Sequence, residues 1–383
     1  MSQHPPTPVD DSSGIAVATS TDPALSVELD HDRYSRQILF PGIGATGQHL
    51  LANAHVAIVG VGATGAAAAA LLARAGVGTL TLIDRDFVEP SNLQRQILFD
   101  EADARESLPK AEAARRKIAL FNSTITVHPH IADLVPVNIH ELLAPAQLIL
   151  DATDNFETRY LLNDYAVQQS KPWIYAAAIG SYAATMNILP TPPAGHSTPY
   201  SLLPTPCLAC IFPKPPTGPV ETCDTSGILS TAVNLAASIQ VTEALKFLTN
   251  QSHLMRRTLL SFDLWAPEGG GNLARSEINT ATPNPDCPVC AHRQFTHLAG
   301  IGRPHITLCG RNSVQIHQHH HPLDLAELET RLQPLGQVRA NGLLLRFTYA
   351  PYTLTVFPDG RALIQGTTDI GLARSLYARF IGS

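Results

Sequence analysis

The run VAIVGVGATG at residues 56–65 constrains this chain more than any other feature. A short apolar strand feeds a glycine-rich turn, Gly60-Val-Gly62-Ala-Thr-Gly65, that opens a helix. Backbone N–H groups and the positive end of that helix can then face an anionic ligand. The next strand ends on Asp84, where a ribose hydroxyl would sit. Together the turn and the acid specify a nucleotide-binding βαβ unit, and by themselves they fit an NAD-dependent dehydrogenase as well as an ATP-using enzyme.

The chain has 383 residues, 44% hydrophobic and 15% charged, enough for one large or two ordinary domains of a soluble globular protein. A formal net charge of -6 and the lack of a dense basic run argue against a nucleic-acid partner, whose phosphates need clustered Lys and Arg. No stretch approaches the roughly 20 apolar residues of a membrane span. The most apolar helical segment, residues 66–77, is interrupted by Arg74. Residues 1–30 are rich in Pro, Ser, Thr and Asp and lack the basic start and apolar stretch of a secretory signal. They read as a disordered tail on a cytoplasmic protein.

From residue 55 onward, short apolar strands alternate with helices, as a parallel sheet covered on both faces requires. Strands are expected at residues 56–60, 79–84, 125–130, 148–151 and 172–177, and helices at 65–75, 109–121 and 155–169. Proline then dominates residues 189–219, which must be extended or looped. One long helix is expected over residues 227–248. A smaller unit over residues 303–383 reads as a βαβββα module. It has a strand at 303–314 and a helix at 323–335 carrying Leu325, Leu328 and Leu332 on one face, closed by Gly336. Strands follow at 343–349 and 352–365, the latter folded at Phe357-Pro-Asp-Gly360, and Asp369 caps a last helix.

Functional content is concentrated in Ser91-Asn92-Leu93-Gln94-Arg95, Lys110, Asp151-Ala-Thr-Asp154-Asn155, and Arg36 ahead of the first strand. On these residues the sequence resembles the MoeB/ThiF/HesA family, relatives of the ubiquitin-activating E1 enzymes, over roughly residues 32–292. The resemblance implies a Rossmann-like doubly wound α/β sheet of the ThiF/E1 type, with residues 31–292 forming the adenylation domain. It places Gly62 near the nucleotide phosphates, Asp84 on the ribose, and Asn92, Arg95 and Lys110 around the triphosphate, with Gly60, Gly65, Ser91, Leu93, Gln94 and Asn155 also binding the nucleotide. Asp154 would hold Mg²⁺, and Arg36 would reach the phosphates of the other protomer in a homodimer. Physically the set suits attack of a carboxylate on an α-phosphate, because Arg36, Arg95, Lys110 and a metal on Asp154 would spread the developing charge. A dehydrogenase has no use for it. Asp151 reads as structural. Two departures from the family pattern stand out: Ala63 where many relatives have glycine, and Ser107 where a glycine commonly precedes the Pro-Lys pair by two positions.

Cys207/Cys210 and Cys287/Cys290 are two CxxC pairs able to form a tetrahedral thiolate site if the fold joins them. This matches the structural Zn²⁺ of the resembled family. Cys223 lies before the long helix, where the family can use a cysteine as acceptor of the activated carrier; it is read either in that catalytic role or as an ordinary loop thiol. The histidines of residues 317–321 read as a solvated loop, and Cys309 as a buried strand thiol.

The reading that follows is an ATP-dependent adenylyltransferase using ATP, Mg²⁺ and Zn²⁺. Its substrate would be the C-terminal glycine of a ubiquitin-fold sulfur carrier of the MoaD or ThiS type ending in Gly-Gly. A cysteine desulfurase or rhodanese would donate the sulfur. The alternatives are an E1-like activator in a bacterial conjugation system, an NAD-binding oxidoreductase, and a non-catalytic scaffold.

Overall fold

The computed structural model describes residues 30–192, 204–215, 226–265, 274–300, 306–309, 313–316 and 323–382, the strand at 306–309 by its backbone alone. Two helices, α1 (His31–Ile38) and α2 (Gly44–Ala52), precede the first strand. An eight-stranded sheet follows, assembled from β1 (His55–Val59), β2 (Thr79–Ile83), β3 (Thr126–His130), β4 (Leu148–Asp151), β5 (Trp173–Ile179), β6 (Tyr182–Ile188), β7 (Thr258–Asp263) and β8 (Ala274–Asn279) in the spatial order β3-β2-β1-β4-β5-β6-β7-β8. The first five strands in that order are parallel. Helices α3 (Ala63–Ala75), α4 (Glu101–Arg105), α5 (Lys110–Phe121), α6 (Ile139–Leu143) and α7 (Phe156–Gln169) connect them. The central strands β1 and β4 are apolar but for His55 and Asp151 at their ends, and are buried because helices cover both faces. On one face α3, α5 and α9 (Ser230–Leu248) pack around Ile58, Leu72, Leu82 and Val241. On the other, α6, α7 and the short α8 (Leu208–Ile211) pack around Val59, Ile149, Tyr165 and Trp173.

The doubly wound expectation holds for this parallel half. The remaining strands, β6, β7 and β8, extend the sheet in antiparallel fashion. None was expected from the sequence. In β7 burial alternates only in part, and β8 is exposed along its whole length, so neither carries an unbroken apolar run. The hairpin between β5 and β6 turns at Gly180, whose φ of +57° suits glycine. The long helix begins at Ser230 rather than 227, because Gly227 sits at φ +70° and Leu229 donates its N–H back to the Gly180 carbonyl.

The C-terminal unit is an antiparallel six-stranded sheet in the order β11-β12-β13-β14-β10-β9. Its strands are β9 (Ile306–Cys309), β10 (Ser313–Ile316), β11 (Gln337–Ala340), β12 (Leu345–Tyr349), β13 (Tyr352–Val356) and β14 (Ala362–Gln365). Helices α10 (Leu325–Leu332) and α11 (Ile370–Phe380) pack on it through Leu328, Leu332, Ala373 and Phe380. The βαβββα pattern is therefore corrected to ββαββββα. The expected strand over residues 303–314 is a pair, β9 and β10, in antiparallel register, and β11 adds an edge. The expected fold at 357–360 separates β13 from β14, and Asp369 caps α11 by accepting from the N–H groups of Gly371 and Leu372.

Candidate active site

The carboxyl ends of β1, β2, β3 and β4 open onto one cleft, the place where α/β sheets of this winding bind ligands. Each glycine of the turn has a distinct physical reason. A Cβ on Gly60 would lie 2.6 Å from the Ala152 carbonyl oxygen, and one on Gly65 would lie 1.9 Å from the Gly60 carbonyl oxygen. These two permit the tight turn and the close approach of α3 to the sheet. Gly62 starts α3 and faces the open cleft, where a Cβ would meet only Gln96 at 4.0 Å. Asp84 follows β2 and accepts from the Val61 N–H at 2.6 Å and the Asp86 N–H at 2.7 Å, so it is fixed toward the turn. Burial pushes its carboxyl above the usual range; Lys110 opposes that push and Asp86 adds to it.

Lys110, at the start of α5, places Nζ 3.0 Å from Asp86 Oδ2 while its own N–H bonds the Asp86 carbonyl. It lines the cleft together with Gly60, Gly62, Asp84, Arg95, Asp154 and Asn155. Asp154 is exposed there. Asn155 caps α7 by accepting from the Thr158 N–H at 2.8 Å. Asp151 turns away from the cleft into Arg159, 3.3 Å away, which agrees with its structural reading.

Other expected residues fall elsewhere. Of residues 91–95 only Arg95 lines the cleft, joined by its neighbour Gln96. Ser91 and Gln94 are exposed and Leu93 packs into the core, none of them lining the cleft. Asn92 is fully buried, its side-chain Oδ1 accepting from the Glu89 N–H at 3.0 Å, so it shapes a 3-10 turn that presents Arg95. Gly65 supports the turn without lining the cleft. Arg36 is exposed on α1 and does not line the cleft of its own chain. Cys223 lies outside the described residues, as do residues 317–321 and the side chain of Cys309. Sequence reasoning did not single out Gln96, Arg85, Asp86, Asp133 or Thr158, all of which line the cleft. Asp86, two residues beyond Asp84, and Gln96, beside Arg95, were adjacent to recognised residues; Asp133 carried no local signal.

The two CxxC pairs converge. The sulfurs of Cys207 and Cys287 are 3.6 Å apart, those of Cys210 and Cys290 3.4 Å, and all four lie within 4.8 Å of one another. Tetrahedral thiolate ligands about 2.3 Å from a zinc ion stand about 3.8 Å from each other, so the donor set fits that metal. Hydrogen bonding among the four thiols lowers Cys210 and Cys287 and raises Cys207, so the protons are shared across the cluster. Both knuckles hang on α7: Asn163 accepts from the Leu208 N–H at 2.8 Å, Asp164 from the His297 N–H at 2.8 Å, and Tyr160 donates to the Phe212 carbonyl at 2.7 Å.

The cleft and the sheet beneath it fit an E1-like adenylyltransferase, an ATP-using enzyme, and the family and relatives that this chain matches show that class. The chain belongs to the ThiF family, whose model matches residues 34–289. It is 43% identical to the sulfur carrier protein ThiS adenylyltransferase of Bacillus subtilis (strain 168), over 91% of this chain and 99% of that protein. It is 35% identical to the SAMP-activating enzyme E1 of Haloferax volcanii, over 68% of this chain and 88% of that protein. Among solved structures, E. coli MccB with ATP aligns at a TM-score of 0.54 and 25% identity, covering 68% of this chain and 74% of that one.

Proposed function

We propose that the chain adenylates the C-terminal glycine of a ubiquitin-fold sulfur carrier of the ThiS type. A carboxylate oxygen of the carrier attacks the α-phosphorus of ATP, the bond from that phosphorus to the α,β-bridging oxygen breaks, and pyrophosphate leaves. The product is an acyl-adenylate ready for sulfur transfer. The observation that carries this reading is the convergence of Gly62, Asp84, Arg95, Lys110 and Asp154 on one cleft. Two anions must approach each other during the reaction, and cations held in advance where charge develops are the chief help a protein offers.

In this reading the N–H groups around Gly62 meet the phosphates and Asp84 takes the ribose hydroxyls. Arg95 and Lys110 balance the triphosphate. Asp154, an exposed carboxylate at the cleft, supplies the hard oxygen donor that Mg²⁺ prefers, and the ion would neutralise phosphate charge. Arg36 serves the cleft of a second protomer in a homodimer. The four thiolates hold Zn²⁺ in a closed, structural site. Residues 31–292 form the adenylation domain of a cytoplasmic enzyme and residues 303–383 a second domain. A sulfur donor acts on the adenylate, with Cys223 as a candidate acceptor.

The test is ATP–pyrophosphate exchange with a ThiS-type carrier ending in Gly-Gly. Exchange should require the intact carrier terminus and disappear in Asp154→Ala. Full exchange by Asp154→Ala, or exchange indifferent to the carrier, would overturn the reading.

A further inference from the structure

We propose that the C-terminal unit is a positioning element for the nucleotide cleft, with Arg361 and Gln315 holding Asp133 so that residues 132–134 form the wall against the nucleotide base. The inference rests on the reading that ATP occupies this cleft.

Strand order sets the argument. β1, β2 and β3 are neighbours, so the glycine turn, Asp84 and residues 131–134 lie side by side at their carboxyl ends. With phosphates over the turn and the ribose at Asp84, the base extends toward the end of β3. Ala132, Asp133 and Leu134 line the cleft there.

The C-terminal sheet meets the first unit at these loops. Arg361 donates from Nη2 to the Ile131 carbonyl at 2.9 Å and places Nη1 3.6 Å from Asp133 Oδ2. Gln315 donates its side-chain amide to the same Asp133 carboxylate. Arg85, itself on the cleft wall, grips the other carboxylate oxygen at 2.9 Å. Below them Phe87 packs with Leu344 and Phe357, while Ile131 covers the cluster. Arg346 lies over the Phe87 ring at 5.2 Å.

This contact is more than adhesion. Arg361 is 1% exposed, Gln315 4% and Asp133 8%. A buried ion pair is a poor way to gain stability, since well-packed apolar residues would do as well; what it offers is a defined geometry. Arg361 is preset for it, bound to Asp359 at 2.6 Å and stacked 4.6 Å from the Phe357 ring. The wall beside the base therefore takes its position from a sheet that lies outside the nucleotide-binding fold.

The experiment uses the full chain and the carrier-dependent exchange reaction with ATP and GTP. Exchange by the wild-type protein checks the parent reading separately. Arg361→Met should raise the KM for ATP about tenfold while kcat changes much less, narrow the preference for ATP over GTP, and be partly rescued in Arg361→Lys. Gln315→Leu should act in the same direction and serves if Arg361→Met does not fold. Leu376→Ala, in the C-terminal core away from Asp133, should lower Tm without moving the KM. Folded Arg361→Met and Gln315→Leu proteins with wild-type KM and wild-type base preference would overturn the proposal. So would a Leu376→Ala protein whose KM rises as much as theirs.

Discussion

Asp151 and Arg159 lie 3.3 Å apart, both buried, and this pair separates two acids of one loop: Asp151 is drawn inward while Asp154 is left facing the cleft. Asp151 also accepts from the Thr153 N–H at 2.9 Å and hydroxyl at 2.7 Å, and Arg159 donates to the Thr153 carbonyl. Burial pushes the Asp151 carboxyl up and Arg159 pulls it back. Removing the arginine strands a buried charge, so Arg159→Leu should cost about 3–5 kcal/mol. Thermal unfolding should show a Tm lower by roughly 10 °C. An Asp151→Asn/Arg159→Leu double variant should recover part of it. An unchanged Tm in Arg159→Leu would refute the role.

The cysteine cluster and Asp154 are linked through one helix, because Asp154 directly precedes the α7 cap Asn155 and α7 carries Tyr160, Asn163 and Asp164, the anchors of both knuckles. Stripping the metal with a chelator should lower Tm by on the order of 10 °C and reduce exchange activity in parallel. Metal analysis should find one zinc per chain, absent in Cys207→Ser. Activity that survives complete metal loss would separate the two sites.

Ser107 explains one departure from the family pattern. It occupies the left-handed region at φ +49° just beyond α4, with Leu108 donating to the Asp103 carbonyl and Ser107 to that of Ala104, the closure that glycine normally serves. Ser107→Val should destabilise by about 1–2 kcal/mol, whereas Ser107→Gly should stay within about 1 kcal/mol of wild type. Chemical denaturation measures both.

Glu112 on α5 is held below its ordinary value of 4.5, first by the hydrogen bond from Arg115 and further by Arg116. A depressed carboxylate contributes stability that is full above 4.5 and is lost as pH falls through the folded value. The Tm of wild type should therefore exceed that of Glu112→Gln at neutral pH, and the gap should close in acid. A gap that widens as pH falls would contradict the assignment.

Arg36 is exposed on α1 and absent from the cleft of its own chain. If it serves a partner protomer, mixing inactive Arg36→Ala and Asp154→Ala proteins should restore about a quarter of wild-type activity, since half the dimers are mixed and each has one complete site. No restoration after subunit exchange would exclude that arrangement.

Much of the architecture was legible because its causes are local. The apolar runs of β1 and β4, the Gly60-Gly62-Gly65 turn and the caps at Asn155 and Asp369 each declare themselves within a few residues. The strands β6 to β8 did not, because what makes them strands is their partners: β8 is exposed throughout and earns its conformation only by pairing with β7. Asn92 and Arg95 belong to one motif, yet only the fold decides that the first is buried and the second meets the cleft.

By itself, then, the sequence determined the nucleotide turn, the acid that follows it and the presence of two metal-type cysteine pairs, since spacing and backbone freedom act at short range. Tertiary structure alone decided that Cys207 meets Cys287 across 80 residues, and that Arg361 reaches Asp133 from a separate sheet. Such contacts depend on how layers pack, and no local pattern in the chain encodes which distant side chain will share a buried charge.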